Sequence, residues 1–421
     1  MKTTPAPSAH YPVAIVGAGP SGVAAALALE RAGIASVLLD KARFPRDKIC
    51  GDALSPDVVH QIDDLESIAP GIGARFRAST AKIEMPGLRV VSPTGKIFDM
   101  ELKHARRTLE GYVMPRLDFD TLLVDSVRGA QHIHLVENWS LETIEREGDV
   151  WVLRSAEGCE LRSTLLIGAD GVHSTVAKKL GVYELDRRHH CAAMRVYCEG
   201  VEWDRPDPLI ELHFIRDVLP GYLWVFPLPG GRANVGIGMR SDQLPQLNKP
   251  LRQVLEEALR NHPHLGPRFA KATMLESIKG MGIPLGSKKR RLSGAGYLLC
   301  GDAASLVDPL TGEGIGNALR SGTYAGEQAV RALETGLWSA SDLADYDRRV
   351  YGVLWGELRL SALVQQWFAS ARRIDAVLGL FERNPRLRRW LYRLLLDDSY
   401  MTHWNRPRYY LRKLGLFKTA G

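Results

Sequence analysis

The chain has 421 residues, 45% of them apolar and 24% charged, with 40 glycines and 23 prolines; this balance excludes disordered and fibrous classes and allows about two to three buried cores. Five cysteines, at 50, 159, 191, 198 and 300, form no C-x-x-C pair, and their odd number argues against a disulfide framework and for a reducing, cytoplasmic setting. The net charge of +7 is concentrated at one end: residues 372–421 carry twelve Lys and Arg against four Asp and Glu, or +8, so the other 371 residues sum to −1.

The first twelve residues read as a short flexible leader. Val13 to Leu29 is free of charge but holds three glycines and Pro20, so it fits neither a spanning helix nor a signal peptide. Within it, Val13-Ala-Ile-Val-Gly17 is a short apolar run ending in glycine, the pattern of a buried parallel strand. An alanine- and leucine-rich helix follows and stops at Gly33, and Ser36 to Asp40 reads as a second strand. Together these make a βαβ opening, right-handed by default.

Period-2 patterns mark strands around 82–100, 133–137, 150–154 and between 191 and 240, with a helix over Phe119–Val127. Tyr297–Cys300 is another buried strand, leading into a glycine-punctuated loop and a helix from about Ile315 to Glu334. Beyond residue 338 the chain is helix-like, with breaks near Pro385 and Pro407. The basic tail also carries Phe381, Trp390, Tyr392, Trp404, Tyr409, Tyr410 and Phe417. That mixture suits either a solvated helical cap or a peripheral contact with anionic lipid headgroups. No nucleic-acid module accompanies the charge, and nucleic acid is not an expected partner. His189, His190, Cys191 and Cys198 lack ligand spacing, so no metal site is expected.

Gly17-Ala18-Gly19-Pro20-Ser21-Gly22 fits G-x-G-x-x-G directly after a strand and at the opening of a helix. Gly17 permits the tight turn, Gly19 lets backbone approach a pyrophosphate, and Gly22 lets helix and strand pack closely. The helix N-terminus then presents its positive dipole end to the phosphates. Asp40, eighteen residues after Gly22, stands where an acid accepts from a ribose 2′-hydroxyl. The pattern specifies an adenine dinucleotide without choosing between FAD and NAD.

Two further motifs add to it: Gly168-Ala-Asp170-Gly171-Val-His-Ser174, and Gly301-Asp302-Ala-Ala304 followed by Pro309-Leu-Thr-Gly312-Glu-Gly314-Ile315. With the opening fingerprint they resemble, over roughly residues 10 to 335, the flavoprotein family that includes p-hydroxybenzoate hydroxylase, geranylgeranyl reductases and flavin-dependent halogenases. The resemblance implies an α/β fold: a Rossmann-type FAD-binding domain (1–82, 110–185, 290–335), an inserted antiparallel-sheet substrate domain (83–109, 186–289) and a helical C-terminal region (336–421). It implies FAD as cofactor, with Asp302 on the ribityl chain, Gly301 beside it, and Pro309, Gly312, Gly314 and Ile315 against the ring. Arg116 matches a family arginine that contacts the cofactor, and Lys41, Arg46, Cys50, Gly51 and Ala53 extend the expected contacts. Asp170 has a structural role in shaping its loop. Only one dinucleotide fold is visible, so a reductant such as NAD(P)H would visit transiently.

Phe44-Pro-Arg46-Asp-Lys48-Ile-Cys50-Gly51-Asp52-Ala53-Leu-Ser55 resembles the Arg-x-Lys-x-Cys-Gly-x-x-x-Ser stretch of geranylgeranyl reductases. Pro220-Gly-Tyr222-Leu-Trp224-Val-Phe226-Pro227, followed by Asn234-Val-Gly-Ile-Gly238, is similar to their P-x-x-Y-x-W-x-F-P motif with one residue fewer. The implied reaction is reduction of C=C bonds in a polyprenyl lipid or quinone by hydride from reduced flavin. Flavin monooxygenation of an aromatic scaffold is the alternative, and halogenation ranks lower. Cys50, Tyr222 and Trp224 are the catalytic candidates. Cys50 reads equally as a small buried apolar residue, and Tyr222, Trp224 and Phe226 as a strand's core face or as the roof of an apolar substrate cavity.

Overall fold

The computed structural model describes residues 9–101, 110–384 and 387. The tail aromatics from Trp390 to Phe417 and the expected breaks near Pro385 and Pro407 lie outside them. In chain order, β1 (Ala9–Val16) passes through the glycine turn into α1 (Pro20–Arg31) and β2 (Ser36–Leu39). β3 (Gly87–Val91) and β4 (Ile97–Glu101) pair as neighbours, and α2 (Arg116–Asp125) leads to β5 (Ile133–Val136). β6 (Leu141–Glu147), β7 (Val150–Ser155) and β8 (Glu160–Gly168) form a meander. Next come β9 (His190–Glu199), β10 (Ile210–His213), β11 (Tyr222–Leu228), β12 (Arg232–Arg240), α3 (Leu251–Asn261), β13 (Lys279–Pro284) and β14 (Tyr297–Leu299). Among the described residues, α4 (Ile315–Thr335), α5 (Ala340–Trp367) and α6 (Ala371–Arg383) follow.

The parallel strands stand in the order β14-β8-β1-β2-β5, the doubly wound arrangement in which ligands bind beyond the carboxyl ends of the strands. Val13, Ala14 and Ile15 at its centre have no exposure, and burying the Val13 and Ile15 side chains contributes about 1.5–3 kcal/mol each. The strand begins at Ala9, so the expected leader is too long: Ala9, His10 and Tyr11 pair with Leu161, Arg162 and Ser163 of β8, a partner about 150 residues away that local sequence cannot show. Small residues explain why α1 is buried along its whole first ten residues, since Ala24, Ala25, Ala26 and Ala28 let it lie close to its neighbours.

The second sheet runs β9-β12-β11-β10-β3-β4, with β13 on the outer side of β9; it is antiparallel except for β3 with β10. Alternation gives it two faces. Val196, Cys198, Leu223, Val225, Val235 and Ile237 pack beneath α3 through Val254, Leu255 and Leu259. The opposite face carries Tyr222, Trp224 and Phe226 with Ala193, Tyr197, Met281 and Ile283, and meets Ala53 of the nucleotide-binding half.

Helix α5 opens with a capping box between Ser339 and Asp342 and rests on the first sheet, where Tyr346 donates to the Leu299 carbonyl (2.7 Å). Helix α6 places Ile374 and Leu378 against Phe98, Met100 and Phe214 of the second sheet.

Candidate active site

The glycine turn shows a division of labour in its clearances. Gly17 has φ +104°, and a Cβ there would lie 2.3 Å from the Ala169 carbonyl oxygen; one on Gly22 would lie 1.8 Å from the Gly17 oxygen. Neither position has room for a side chain. A Cβ on Gly19 would meet only the Arg46 guanidinium, at 3.8 Å. The space above Gly19 is therefore open, at the start of a twelve-residue helix whose N-terminus has no side-chain cap and begins with Pro20. Unsatisfied N–H groups, a dipole end and a nearby guanidinium fit a pyrophosphate.

Asp40 braces this turn: its two carboxylate oxygens accept from the backbone N–H groups of Ala18 and Ala42, both at 2.9 Å. Each oxygen keeps a lone pair, so a ribose hydroxyl can still donate to it. Arg46 spans Asp40 (3.6 Å) and Asp120 (2.9 Å). Lys41, just past β2, is exposed.

The loop after β14 meets the same helix start. Gly301, at φ +58°, donates its N–H to Ser321 Oγ (3.0 Å), and Ser21 of α1 packs against it. Asp302 is bound by Lys48 Nζ at 2.9 Å. Burial alone would raise the Asp302 carboxyl; Lys48, with Arg116 behind it, more than offsets this and holds it below the usual carboxylate range. Gly314, the N-terminal boundary of α4, offers no side-chain cap, and Ile315 is buried as the first helical residue. The Pro309 carbonyl accepts from Gln365 of α5, and the Thr311 carbonyl, beside Gly312, from the Tyr222 hydroxyl. Tyr222 thus ties the second sheet to this loop.

Arg116 is 2% exposed and forms a two-pronged pair with Asp120, itself fully buried, at 2.7 and 2.8 Å. Burial alone would lower its pKa; Asp120 and the Cys50 thiol, within hydrogen-bonding reach, keep it above the ordinary arginine value. Cys50 is half-buried.

The aromatic face is set by register. Tyr197, Asn234 and Phe226 form one row across β9, β12 and β11; Arg195, Gly236 and Trp224 form the next; Ala193, Gly238 and Tyr222 the third. A Cβ on Gly236 would fall 2.1 Å from the Trp224 indole, so the glycine makes the bed on which the ring lies. Trp224 Nε1 donates to Asn234 Oδ1 (3.0 Å), and Asn234 Nδ2 donates to the Cys50 carbonyl (2.8 Å) and to Asp52 Oδ2 (2.7 Å). The Tyr197 hydroxyl reaches the same Asp52 oxygen at 2.6 Å. Gly51 sits against Phe226 and Trp224. Replacing Gly236 with alanine is expected to push the indole off this bed, costing about 1–3 kcal/mol; denaturant unfolding and a changed near-ultraviolet dichroism of the tryptophans measure it.

A chain of contacts thus joins the Gly17–Gly22 turn, Asp40, Arg46, Cys50–Asp52 and Arg116, and ties Gly301 to Ser21, Asp302 to Lys48, and the Pro309–Ile315 loop to Tyr222, with Trp224 reached through Asn234; Lys41 stands exposed beside Asp40. Lys48, Asp52, Asn234 and Tyr197 were not singled out from sequence. The first three lie inside the quoted motifs, and a polar residue in an otherwise apolar strand was the available signal for Asn234. Arg195, with no exposure, is held by Asp47 (2.9 Å) and Glu276 and lies 4.0 Å from the Tyr197 ring.

Three comparisons bear on this site. The FAD binding domain family matches residues 10–355. A digeranylgeranylglycerophospholipid reductase of Methanopyrus kandleri is 34% identical, covering 81% of this chain and 86% of its own; a menaquinone reductase of Mycobacterium tuberculosis is 30% identical, covering 81% of each. A geranylgeranyl bacteriochlorophyll reductase-like crystal structure from Thermoplasma acidophilum shares the fold, with a TM-score of 0.77 at 24% identity over 88% of this chain and 91% of that one. An open uncapped helix start, a glycine-lined second loop and a matching family over most of the chain agree: this is an FAD-dependent oxidoreductase that belongs to the geranylgeranyl reductase family of flavoproteins.

Proposed function

We propose that the protein saturates C=C bonds of a polyprenyl lipid or of a quinone's isoprenoid chain. FAD supplies hydride chemistry when bound. The observation that carries this reading is the apolar face of Tyr222, Trp224, Phe226, Ala193, Met281 and Ile283 set against Ala53 and the Cys50–Gly51 segment. Such a wall excludes water and suits a hydrocarbon chain, and relatives named for reducing digeranylgeranylglycerophospholipid and menaquinone support it.

In this reading Gly17, Gly19, Pro20, Ser21 and Gly22 receive the pyrophosphate, with Arg46 as counter-charge. Asp40 and Lys41 receive the adenosine side. Gly301 and Asp302 hold the ribityl chain, and Pro309, Gly312, Gly314 and Ile315 the ring, opposite Cys50, Gly51 and Ala53. Arg116 fixes the Cys50 segment. Trp224 and Tyr222 shape the substrate's channel, and Cys50 borders the reacting carbons. An NAD(P)H-class donor visits from the cytoplasm to recharge the cofactor.

The lipid is met at a membrane surface. Val353, Leu360, Leu363 and Trp367 recur along α5 and stand exposed, as does Leu380 on α6, beside the start of the basic tail. Among the described residues no helix is long and apolar enough to cross a membrane; exposed apolar side chains beside a basic segment suit a peripheral contact with anionic lipid.

Anaerobic holoenzyme, reduced chemically, is to be incubated with a digeranylgeranylglycerol phospholipid, menaquinone and geranylgeranyl diphosphate. Mass spectrometry is expected to show products gaining two hydrogens per bond. No gain with any of the three, or product appearing only with oxygen and carrying an added oxygen atom, overturns the reading.

A further inference from the structure

Each saturation needs a proton as well as a hydride, and in a dry apolar channel few side chains can supply one. The Tyr222 hydroxyl is committed to the Thr311 carbonyl. Trp224 Nε1 is committed to Asn234 and does not titrate. Cys50 lies against the Arg116 guanidinium, which can only donate, so the sulfur is placed as an acceptor. Tyr197 is also a donor, but its acceptor is the Asp52 carboxyl, which once protonated can return a proton to the phenol where the Thr311 carbonyl cannot, and its ring is part of the aromatic face.

Resting on the reductase reading, we propose that Tyr197 delivers the proton to the second alkene carbon and that Asp52 resupplies it. As the new C–H bond forms, the Tyr197 O–H bond breaks; the Asp52 O–H bond breaks as that of Tyr197 is remade. The π pair of the alkene binds this proton, and the hydride brings the pair for the other carbon. Asp52 is left as carboxylate and takes a proton from solvent before the next turn.

The surroundings of Asp52 suit such a store. Its side chain has no exposure, and its backbone is held at φ +66°, a conformation a non-glycine residue adopts only when neighbours over-determine it. Burial pushes its carboxyl up to about 6, against the lowering effects of Tyr197 and Asn234 as hydrogen-bond donors and of the Arg195 and Arg116 charges. These groups come from β9, β12 and α2. From its own loop, Asp47 pairs with Arg195, and the Cys50 carbonyl shares the Asn234 amide with Asp52. The carboxyl is thus poised to exchange a proton near neutral pH, as a resupplying acid requires. Once deprotonated, it keeps two donors on Oδ2 and the Arg116 backbone N–H at 3.3 Å on Oδ1.

Single-turnover reduction of the quinone's isoprenoid chain is to be followed from pH 5 to pH 8 in wild-type, Asp52→Asn, Asp52→Glu and Tyr197→Phe holoenzymes of equal FAD content. An acid must be protonated to donate, so the wild-type rate is expected to fall about tenfold per pH unit above the carboxyl's pKa. Asp52→Asn and Tyr197→Phe are expected to lose about 100-fold and the pH limb with it, while Asp52→Glu keeps a displaced limb. Infrared difference titration of substrate-free holoenzyme is expected to show a protonated-carboxyl band with a midpoint near neutrality that is missing in Asp52→Asn. Wild-type saturation with an unchanged limb in Asp52→Asn, or no such band, overturns the relay and leaves the reductase reading standing. No saturated product from wild type, with the band present, overturns the reading and the relay together.

Discussion

Alanine at Gly22 is expected to abolish FAD binding by breaking the fold beneath it, whereas alanine at Gly19 is expected to weaken FAD binding with the fold intact. At Gly22 the new methyl would stand 1.8 Å from the Gly17 carbonyl oxygen, and at 3.3 Å from Ala169. Both are parts of the strand ends, so α1 must lift from the sheet, at about 3 kcal/mol or more for the unloaded protein. At Gly19 the backbone has φ −76°, which alanine adopts freely, and the nearest atom is Arg46 Nη2 at 3.8 Å. The methyl then occupies only the space left for phosphate oxygens, so affinity is expected to fall on the order of 10–100-fold, or about 1.4–2.8 kcal/mol. Thermal melts of FAD-free protein and fluorescence titration with FAD separate the two cases. Equal loss of melting temperature in both variants would show that Gly19 has no reserved space.

The second large effect is expected at Arg116. Methionine there leaves Asp120, without exposure, facing only Arg46 at 2.9 Å and the more distant Lys48. Removing one partner of a buried pair costs about 3–5 kcal/mol, and lysine recovers only part because the two-pronged contact needs a guanidinium. The sign with pH follows from Asp120. Burial raises its carboxyl, but Arg116, Arg46 and Lys48 together hold it below the ordinary value. In the wild type this pairing stabilises above the unfolded pKa of Asp120 and is lost as pH falls through the lower, folded value. In Arg116→Met the carboxyl pKa rises, so the variant's deficit is expected to be largest at pH 7–8 and to narrow towards pH 5 as Asp120 protonates. Denaturant unfolding at both pH values measures this, and Arg116→Met/Asp120→Leu is expected to regain part of the loss.

Both effects start from residues that the sequence marks plainly. The βαβ opening is local: the apolar run, the three glycines and Asp40 lie within one stretch and follow one rule, so strand, turn, helix and second strand were all readable. The pairing of Ala9–Tyr11 was not, because its partner Leu161–Ser163 is remote and the segment itself carries His10 and Pro12. Likewise the parallel pairing of β3 with β10 joins segments about 120 residues apart.

The alternation of Tyr222, Trp224 and Phe226 was visible; what fills the gaps between them was not. Gly236 and Asn234 come beneath Trp224 and Phe226 only through the register of β11 with β12. Asp52 was in view inside the Cys50 motif, yet its character depends on Tyr197, 145 positions away, and Asn234, 182 positions away. Side chains of that kind become functional through tertiary approach, and no spacing rule exposes them.

A crystal structure of the FAD-loaded protein with a partly unsaturated polyprenyl lipid would test these roles most directly. The predicted result is a flavin ring between the Gly312–Ile315 loop and the Cys50–Ala53 segment, with an isoprenoid double bond over it and the chain lying along Tyr222, Trp224 and Phe226. A ring held elsewhere, or a lipid chain bound away from that aromatic face, would contradict them.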